Sequence, residues 1–368
     1  TMTTLSHLTE IAGGELVGAF GVDPQITSIE LDSSRVADAG ALFAALPGTR
    51  RHGAEFAADT PATAILTDRA GQQLLGDVTR PVIVVDDVRA ILGPVAAEIH
   101  GHPSRDLTLL GVTGTSGKTT TSYLLEQGLM AAGHKVGLIG TTGTRIDGRP
   151  VPTSLTTPEA PTLQALFAQM RSENVTHVVM EVSSHALELG RVTGTSFDVA
   201  GFTNLSQDHL DFHPTMEGYF EAKARFFDPS SPLAAEKAVI CVDDEWGRRM
   251  VERAENPLTV STRGTQADVA AAQADLTPTG AQLIVMTLPS GMLEAELSLP
   301  GDFNIANAAL ATAMAYAAGV DTHEFVAGFR EVAVPGRMER IDEGQDFLAV
   351  VDYAHKPAAV AAVLDTLR

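Results

Sequence analysis

A chain of 368 residues that is 44% hydrophobic and 19% charged is long enough for two or three domains, each with its own core. Its 25 Lys and Arg against 46 Asp and Glu leave a net charge of -21, a field that repels nucleic acid and anionic membranes, so any bound phosphate must be held by local geometry. No apolar run of about 18 residues could span a bilayer, no secretory signal opens the chain, and the single cysteine, Cys241, excludes an intramolecular disulfide framework. A soluble cytoplasmic protein with no nucleic-acid partner and no membrane insertion is expected.

Residues 1–102 alternate short apolar runs (26–31, 41–46, 63–67, 81–85) with turn residues, which predicts a small α/β domain. The polar stretch from Gly101 to Asp106 suits a linker. From Leu107 strands alternate with longer helical segments, the pattern of a mostly parallel sheet covered on both faces. Strands are predicted at 107–112, 136–142, 177–182, 198–203 and 238–242, helices at 119–132 and 162–172, and a tight turn at Asp147-Gly148. A hairpin follows across Pro289-Ser290-Gly291, then an Ala-rich helix over 305–318. A last strand, 347–351, and one further helix cannot bury a core of their own, so residues 337–368 are expected to begin a third domain left incomplete at Arg368. The central domain is thus 103–336.

In an open α/β sheet, ligands gather at the carboxyl ends of the strands, and that is where the polar clusters fall. Gly114-Thr115-Ser116-Gly117-Lys118-Thr119-Thr120 follows an apolar strand and opens a helix. Glycines let backbone N–H groups curl around a phosphate, the helix dipole favours the anion, Lys118 can reach terminal oxygens and a hydroxyl can ligate Mg²⁺. Val112 stands where the general P-loop pattern has its first glycine. Glu181, at the end of the buried strand 177–182, is either an Mg²⁺ ligand or a helix-cap or solvent contact. The segment 203–213, with Asp208, His209, Asp211 and His213, is either a metal or catalytic cluster or a polar loop in which Ser206 and Asp208 cap a helix. Lys223 lies on a helix whose Phe226 and Phe227 should face the core; taken alone it reads as a surface lysine.

Together, Gly114 to Thr120, Thr156-Thr157-Pro158-Glu159, Glu181-Val-Ser-Ser-His185, Asn204 to Asp211, Glu221-Ala-Lys-Ala-Arg225, Gly301 to Asn307, Pro335-Gly-Arg337 and Asp352-Tyr-Ala-His355 resemble the Mur ligases in order and spacing. The Thr-Thr-Pro and Glu-Val-Ser-Ser-His elements are similar to the MurE type, which adds the third residue of the peptidoglycan stem peptide. The resemblance implies an ATP-dependent amide ligase acting on UDP-MurNAc-L-Ala-D-Glu and an amino acid, as a monomer, through an acyl phosphate. It implies that Gly114, Thr115, Ser116, Gly117, Lys118, Thr119 and Thr120 hold the phosphates and that Asn304, Arg337 and Asp352 contact the nucleoside. Thr119, Glu181, His209 and a carbamylated Lys223 would hold Mg²⁺, with Lys118, Glu181, His209 and Lys223 serving catalysis. Ser34, Arg35, Thr156, Thr157, Ser184 and Arg191 would contact the UDP-muropeptide.

On residue chemistry alone Asn304 is an equally good helix N-cap and Arg337 a loop cation. Leu189-Gly190 stands where many MurE sequences carry Gln beside the position of Arg191. Another amide ligase of the superfamily, such as MurF or MurT, and a non-catalytic precursor- or nucleotide-binding module are the alternatives. The identity of the added amino acid cannot be read from these residues.

Overall fold

The computed structural model describes residues 2–18, 21–37, 39–77, 79–153, 157–207, 213–278 and 281–368. The chain divides into two compact units: residues 1–106 with 158–173 and 188–196, and residues 107–157 with 174–187 and 197–368.

The first unit is built on a five-stranded sheet in the order Glu15–Val17, Val82–Val85, Ala64–Asp68, Ala41–Ala44, Ser28–Glu30, antiparallel in its first pair and parallel thereafter. Strands buried on both faces read as continuous apolar runs, which is why 41–46 and 81–85 stand out in the sequence. The period-two alternation sends Leu42, Ala44 and Leu66 into a core with helices Leu5–Ala12 and Val88–Ile99. Phe43, Ile65 and Val84 enter a second cluster with Ala54 and Ala57. Helix Ala160–Ser172 packs on Val88–Ile99, and Arg171 donates to the carbonyls of His100 (2.9 Å) and Gly101 (3.3 Å).

The second unit is organised by an eleven-stranded sheet: β1 (Thr108–Thr113), β2 (Val136–Gly140), β3 (Gly143–Ile146), β4 (Arg149–Val151), β5 (His177–Glu181), β6 (Val199–Phe202), β7 (Lys237–Cys241), β8 (Leu258–Ser261), β9 (Val269–Leu276), β10 (Gln282–Leu288) and β11 (Gly291–Leu297). The spatial order is β4-β3-β2-β5-β1-β6-β7-β8-β9-β10-β11. Strands β2 to β9 of that order, excluding the hairpin strands β3 and β4, run parallel, and antiparallel hairpins finish both edges. The turn at Asp147-Gly148 carries positive φ at both residues (51° and 77°), as a two-residue hairpin turn requires.

The helices of this unit that position the site are α1 (Lys118–Ala131), α2 (Met216–Ala224), α3 (Glu245–Arg253) and α4 (Asp302–Ala317). Helix α4 begins at Asp302, ahead of the expected Ile305, with Gly301 at the N-cap; Asn304 is inside the first turn and is not the cap. Small residues let α4 lie close to α1 and the sheet: Ala308, Ala309, Ala311, Ala313 and Ala315 are fully buried, and a Cβ on Gly201 would lie 2.4 Å from the Met314 sulfur. Phe226 and Phe227 are buried as expected, but in the turn that follows α2 and not on the helix itself, which ends at Ala224. Strands β8 and β9 and helix α3 were not anticipated; β9 is a run of alanines broken by Gln273 and Asp275, too weak an apolar period to announce a strand. Among the described residues no helix is long and apolar enough to cross a membrane.

Candidate active site

The parallel register brings the carboxyl ends of β1, β2 and β5 side by side, and their following residues form one polar floor. Helix α1 opens from β1 at Gly117, which has φ 92° and makes no side-chain cap. An uncapped helix start presents its first-turn N–H groups to an anion. Both loop glycines are required here. A Cβ on Gly114 (φ 140°) would lie 1.8 Å from Thr203 Oγ1, and one on Gly117 2.4 Å from Asn307 Oδ1.

The loop is braced by neighbouring elements. Ser116 N–H donates to Asn204 Oδ1 (3.0 Å), whose amide returns a bond to Ser116 O (3.1 Å). Thr115 N–H donates to Asn204 O at 3.0 Å, and its hydroxyl meets Tyr219 OH at 3.1 Å and accepts from Ser206 N–H at 3.0 Å. Ser206 thus braces the phosphate loop; the following helix, α2, is capped by Thr215 through Gly218 N–H. Lys118 Nζ folds back on the carbonyls of Gly114 (2.7 Å) and Thr115 (3.2 Å). Thr120 is buried on the first turn of α1.

Glu181 is 1% exposed, so it is not a solvent contact, and the one backbone N–H it accepts from, that of Thr141, lies between two strands and not at a helix start. Its Oε1 accepts from Thr119 Oγ1 (2.8 Å) and Thr141 Oγ1 (3.1 Å), and Oε2 accepts from Thr141 N–H (2.7 Å). Thr157 Oγ1 donates to the Glu181 carbonyl at 2.9 Å. An oriented carboxylate touching the P-loop hydroxyl is a hard oxygen pair that fits Mg²⁺. Among the described residues no three His, Cys, Asp or Glu side chains converge on a metal position; His209, with Asp208 and Asp211, lies outside the described residues, as does Thr156.

Lys223 is a correction to the surface-lysine reading. It is 1% exposed, with Nζ donating to Thr113 Oγ1 and Gly114 O, both at 3.2 Å, and sitting 4.9 Å from the centroid of the Tyr219 ring. The register of α2 explains this. Glu217 and Glu221 pair outward with Arg249 and Arg253 of α3, which turns Tyr219 and Lys223 inward.

Asn304 is buried beside this floor with both amide groups engaged: Nδ2 donates to Pro300 O (2.8 Å) and Oδ1 accepts from Asn307 Nδ2 (3.1 Å). Asn307 Oδ1 in turn accepts from Thr121 Oγ1 at 3.3 Å. Arg337 lies over the Tyr353 ring at 4.7 Å, and Asp352 accepts from Ala354 N–H at 3.4 Å. Ser184 is buried, and its hydroxyl has no protein partner among the described residues.

In the first unit, Ser34 and Arg35 are exposed on a 3-10 turn capped by Asp32, which accepts from Ser34 N–H (2.9 Å) and Oγ (2.6 Å). Arg191 Nε approaches Glu159 Oε1 at 3.5 Å as an ion pair without hydrogen-bond geometry, and Arg89 donates to the other oxygen at 3.1 Å.

At the opposite end of β5 from Glu181, His177 lies against His134 with ring centroids 4.1 Å apart and the planes tilted by 43°. Burial, and then the neighbouring His134, push its pKa down to about 4.

Thr141, Tyr219 and Asn307 were missed as site residues. Thr141 had a signal, a polar pair directly after the apolar strand 136–140. Asn307 had one as well, since it stands three residues after Asn304 on the same helix face. Tyr219 offered none, because its contact with Thr115 spans 104 residues of sequence.

The profile of the Mur ligase middle domain matches residues 112–315. A UDP-N-acetylmuramoyl-L-alanyl-D-glutamate--2,6-diaminopimelate ligase of Corynebacterium glutamicum is 64% identical, covering 98% of this chain and 72% of its own length. The ligase of the same name from Streptomyces coelicolor is 48% identical over 98% of this chain and 72% of its own. A solved structure of a ligase with that name superposes with a TM-score of 0.82 at 31% identity, covering 100% of this chain and 74% of that one. MurF from Acinetobacter baumannii shares the fold, with a TM-score of 0.72 at 22% identity over 100% of this chain and 76% of its own.

Proposed function

Because the chain belongs to the Mur ligase family, we propose that it uses ATP to join diaminopimelate to the side-chain carboxylate of D-glutamate in UDP-MurNAc-L-Ala-D-Glu, the third stem-peptide addition of peptidoglycan synthesis. The names of the relatives that match 98% of the chain support the substrate pair. The single observation that carries the chemistry is the Thr119–Glu181 bond between the first turn of α1 and the end of β5, at an uncapped helix start.

A carboxylate is a poor electrophile until one oxygen carries a phosphoryl group. The γ-phosphoryl of ATP passes to that oxygen, leaving ADP; the incoming amine then attacks the acyl carbon, and a tetrahedral intermediate releases phosphate and forms the amide. Phosphoryl transfer is accelerated mainly by positioning and by fixed positive charge. In this chain the first turn of α1 receives the phosphates, and Lys118 exchanges the Gly114 and Thr115 carbonyls for a terminal phosphate oxygen. Mg²⁺, held by Thr119 and Glu181 with His209, would neutralise charge on the phosphates. Lys223 is positioned beside Thr113 and Gly114; carbamylation would convert its buried cation into an anionic ligand for a second Mg²⁺. Asn304, Arg337 and Asp352 are assigned to the nucleoside. Thr156, Thr157, Ser184 and Arg191 are assigned to the muropeptide, and Ser34 and Arg35 to the uridine diphosphate. A monomer acting in the cytoplasm completes the proposal.

Calorimetric titration of UDP-MurNAc-L-Ala-D-Glu, with UDP-MurNAc-L-Ala as control, tests it. Saturable binding of the dipeptide form alone is expected. Equal binding of the two, or of neither, overturns the muropeptide assignment while leaving the phosphate loop untouched.

A further inference from the structure

Glu126 sits two turns along α1 from Thr119 and is fully buried. A buried carboxylate costs several kcal/mol unless it is paired with good geometry. Arg145, on β3, supplies a bidentate fork: Nε donates to Oε2 at 3.0 Å and Nη2 to Oε1 at 2.5 Å. Gln127 Nε2 adds a third bond to Oε1 at 3.0 Å. The guanidinium lies 4.4 Å over the ring of Tyr123, one turn back on α1, and the Tyr123 hydroxyl bonds Thr142 Oγ1 at 2.7 Å. Thr142 is the neighbour of Thr141, in the link joining β2 to β3.

These contacts tie together the two elements that orient Glu181. Helix α1 carries Thr119, and the β2–β3 link carries Thr141, whose N–H and hydroxyl hold both carboxylate oxygens. Packing alone would join helix and hairpin at lower electrostatic cost, since apolar replacements of buried ion pairs are often neutral or stabilising. What the fork adds is direction: a planar guanidinium fixes the angle and the distance of its carboxylate together.

We propose that Arg145, Glu126 and Tyr123 form a positioning clamp that holds the β2–β3 link against α1, so that Thr119 and Thr141 present the Glu181 carboxylate to Mg²⁺. The inference rests on reading Glu181 as a metal ligand.

ADP binding is measured on the full chain by calorimetry with and without Mg²⁺, alongside thermal unfolding. The variants are Glu181→Gln, Arg145→Lys, and the double variant Glu126→Leu with Arg145→Met, which leaves no buried charge unpaired. Metal-free ADP affinity should stay unchanged in the double variant, because the phosphate loop is intact. The Mg²⁺-dependent gain should fall about tenfold, the usual effect of removing an outer partner of a metal ligand. Arg145→Lys, which keeps the charge and loses the fork, should fall between. A folded double variant with the full Mg²⁺-dependent gain overturns the clamp; should that variant not fold, a full gain in Arg145→Lys overturns it equally. If Glu181→Gln itself leaves the gain intact, the metal reading of Glu181 falls first and the clamp with it.

Discussion

Replacing His177 with Phe tests whether the amino-terminal ends of the parallel strands limit acid stability. The imidazole is buried against His134, with ring centroids 4.1 Å apart, and its pKa is brought from the usual 6.5 down to about 4. The folded protein therefore holds this proton less tightly than the unfolded chain does. Stability is complete above the unfolded value and is lost as the pH falls from 6.5 towards 4. At about 1.4 kcal/mol per pH unit the loss is bounded near about 3 kcal/mol, and solvent screening at the ring edge brings the working figure to about 2 kcal/mol. Phe preserves a ring against His134 and cannot take a proton. Urea unfolding of both proteins at pH 7.5 and 4.5 should show the wild type losing about 2 kcal/mol more than the variant across that interval. Nucleotide affinity at pH 7.5 should not change, because Glu181 is at the other end of the strand. Equal losses in the two proteins would mean that His177 titrates as an ordinary histidine, and the reasoning from burial would fail.

Gly114→Ala forces a Cβ to within 1.8 Å of Thr203 Oγ1 at φ 140°; a destabilisation of about 2 kcal/mol and loss of ADP binding are expected, and a variant that melts and binds like wild type refutes the steric argument. Ser184→Ala removes a buried hydroxyl with no protein partner among the described residues, so its stability should stay within about 0.5 kcal/mol while affinity for the dipeptide precursor falls about tenfold. Unchanged affinity would remove Ser184 from the substrate site. Glu98 accepts from His102 (2.6 Å) and His7 (2.8 Å), and these bonds, that of His102 foremost, hold its pKa below the ordinary value. That stabilisation is present above the unfolded carboxylate value and disappears as the pH falls through the folded one. Glu98→Gln should cost up to about 1 kcal/mol at pH 6 and flatten the acid limb of the stability curve; an identical acid limb would show that the pair contributes nothing.

What could be read from the sequence was what strand period and glycine spacing encode. The runs 107–112, 136–142 and 177–182 are apolar because both faces of a parallel sheet are covered, and the polar residues that follow them converge because parallel strands end on the same side. Lys118, Thr119 and Glu181 were legible for that reason. Lys223 was not, since burial of a lysine on a short helix depends on which face α2 turns inward, and that is settled by Arg249 and Arg253 on a helix absent from the sequence reading. Thr141 and Tyr219 were lost for a related reason: their roles exist only through partners 40 and 104 residues away. Asn304 matched a helix-start residue type, but the chain bends at Gly301, where φ is 95°, three residues earlier than the residue type suggested.

The asparagine pair at the start of α4 has a polarity. Thr121 donates to Asn307, Asn307 to Asn304, and Asn304 to the carbonyl of Pro300, so each amide can face only one way without setting like dipoles against each other. The string is a one-way relay from the first turn of α1 to the bend before α4, where Gln282 separately donates to the flanking carbonyls of Leu299 and Gly301. Conversion of Asn304 to a carboxylate, by mutation or by spontaneous deamidation, would leave an acceptor facing an acceptor at Pro300 and put a charge in a buried site. Chemical ageing at that single atom would thus reach the phosphate loop without touching any residue that binds phosphate.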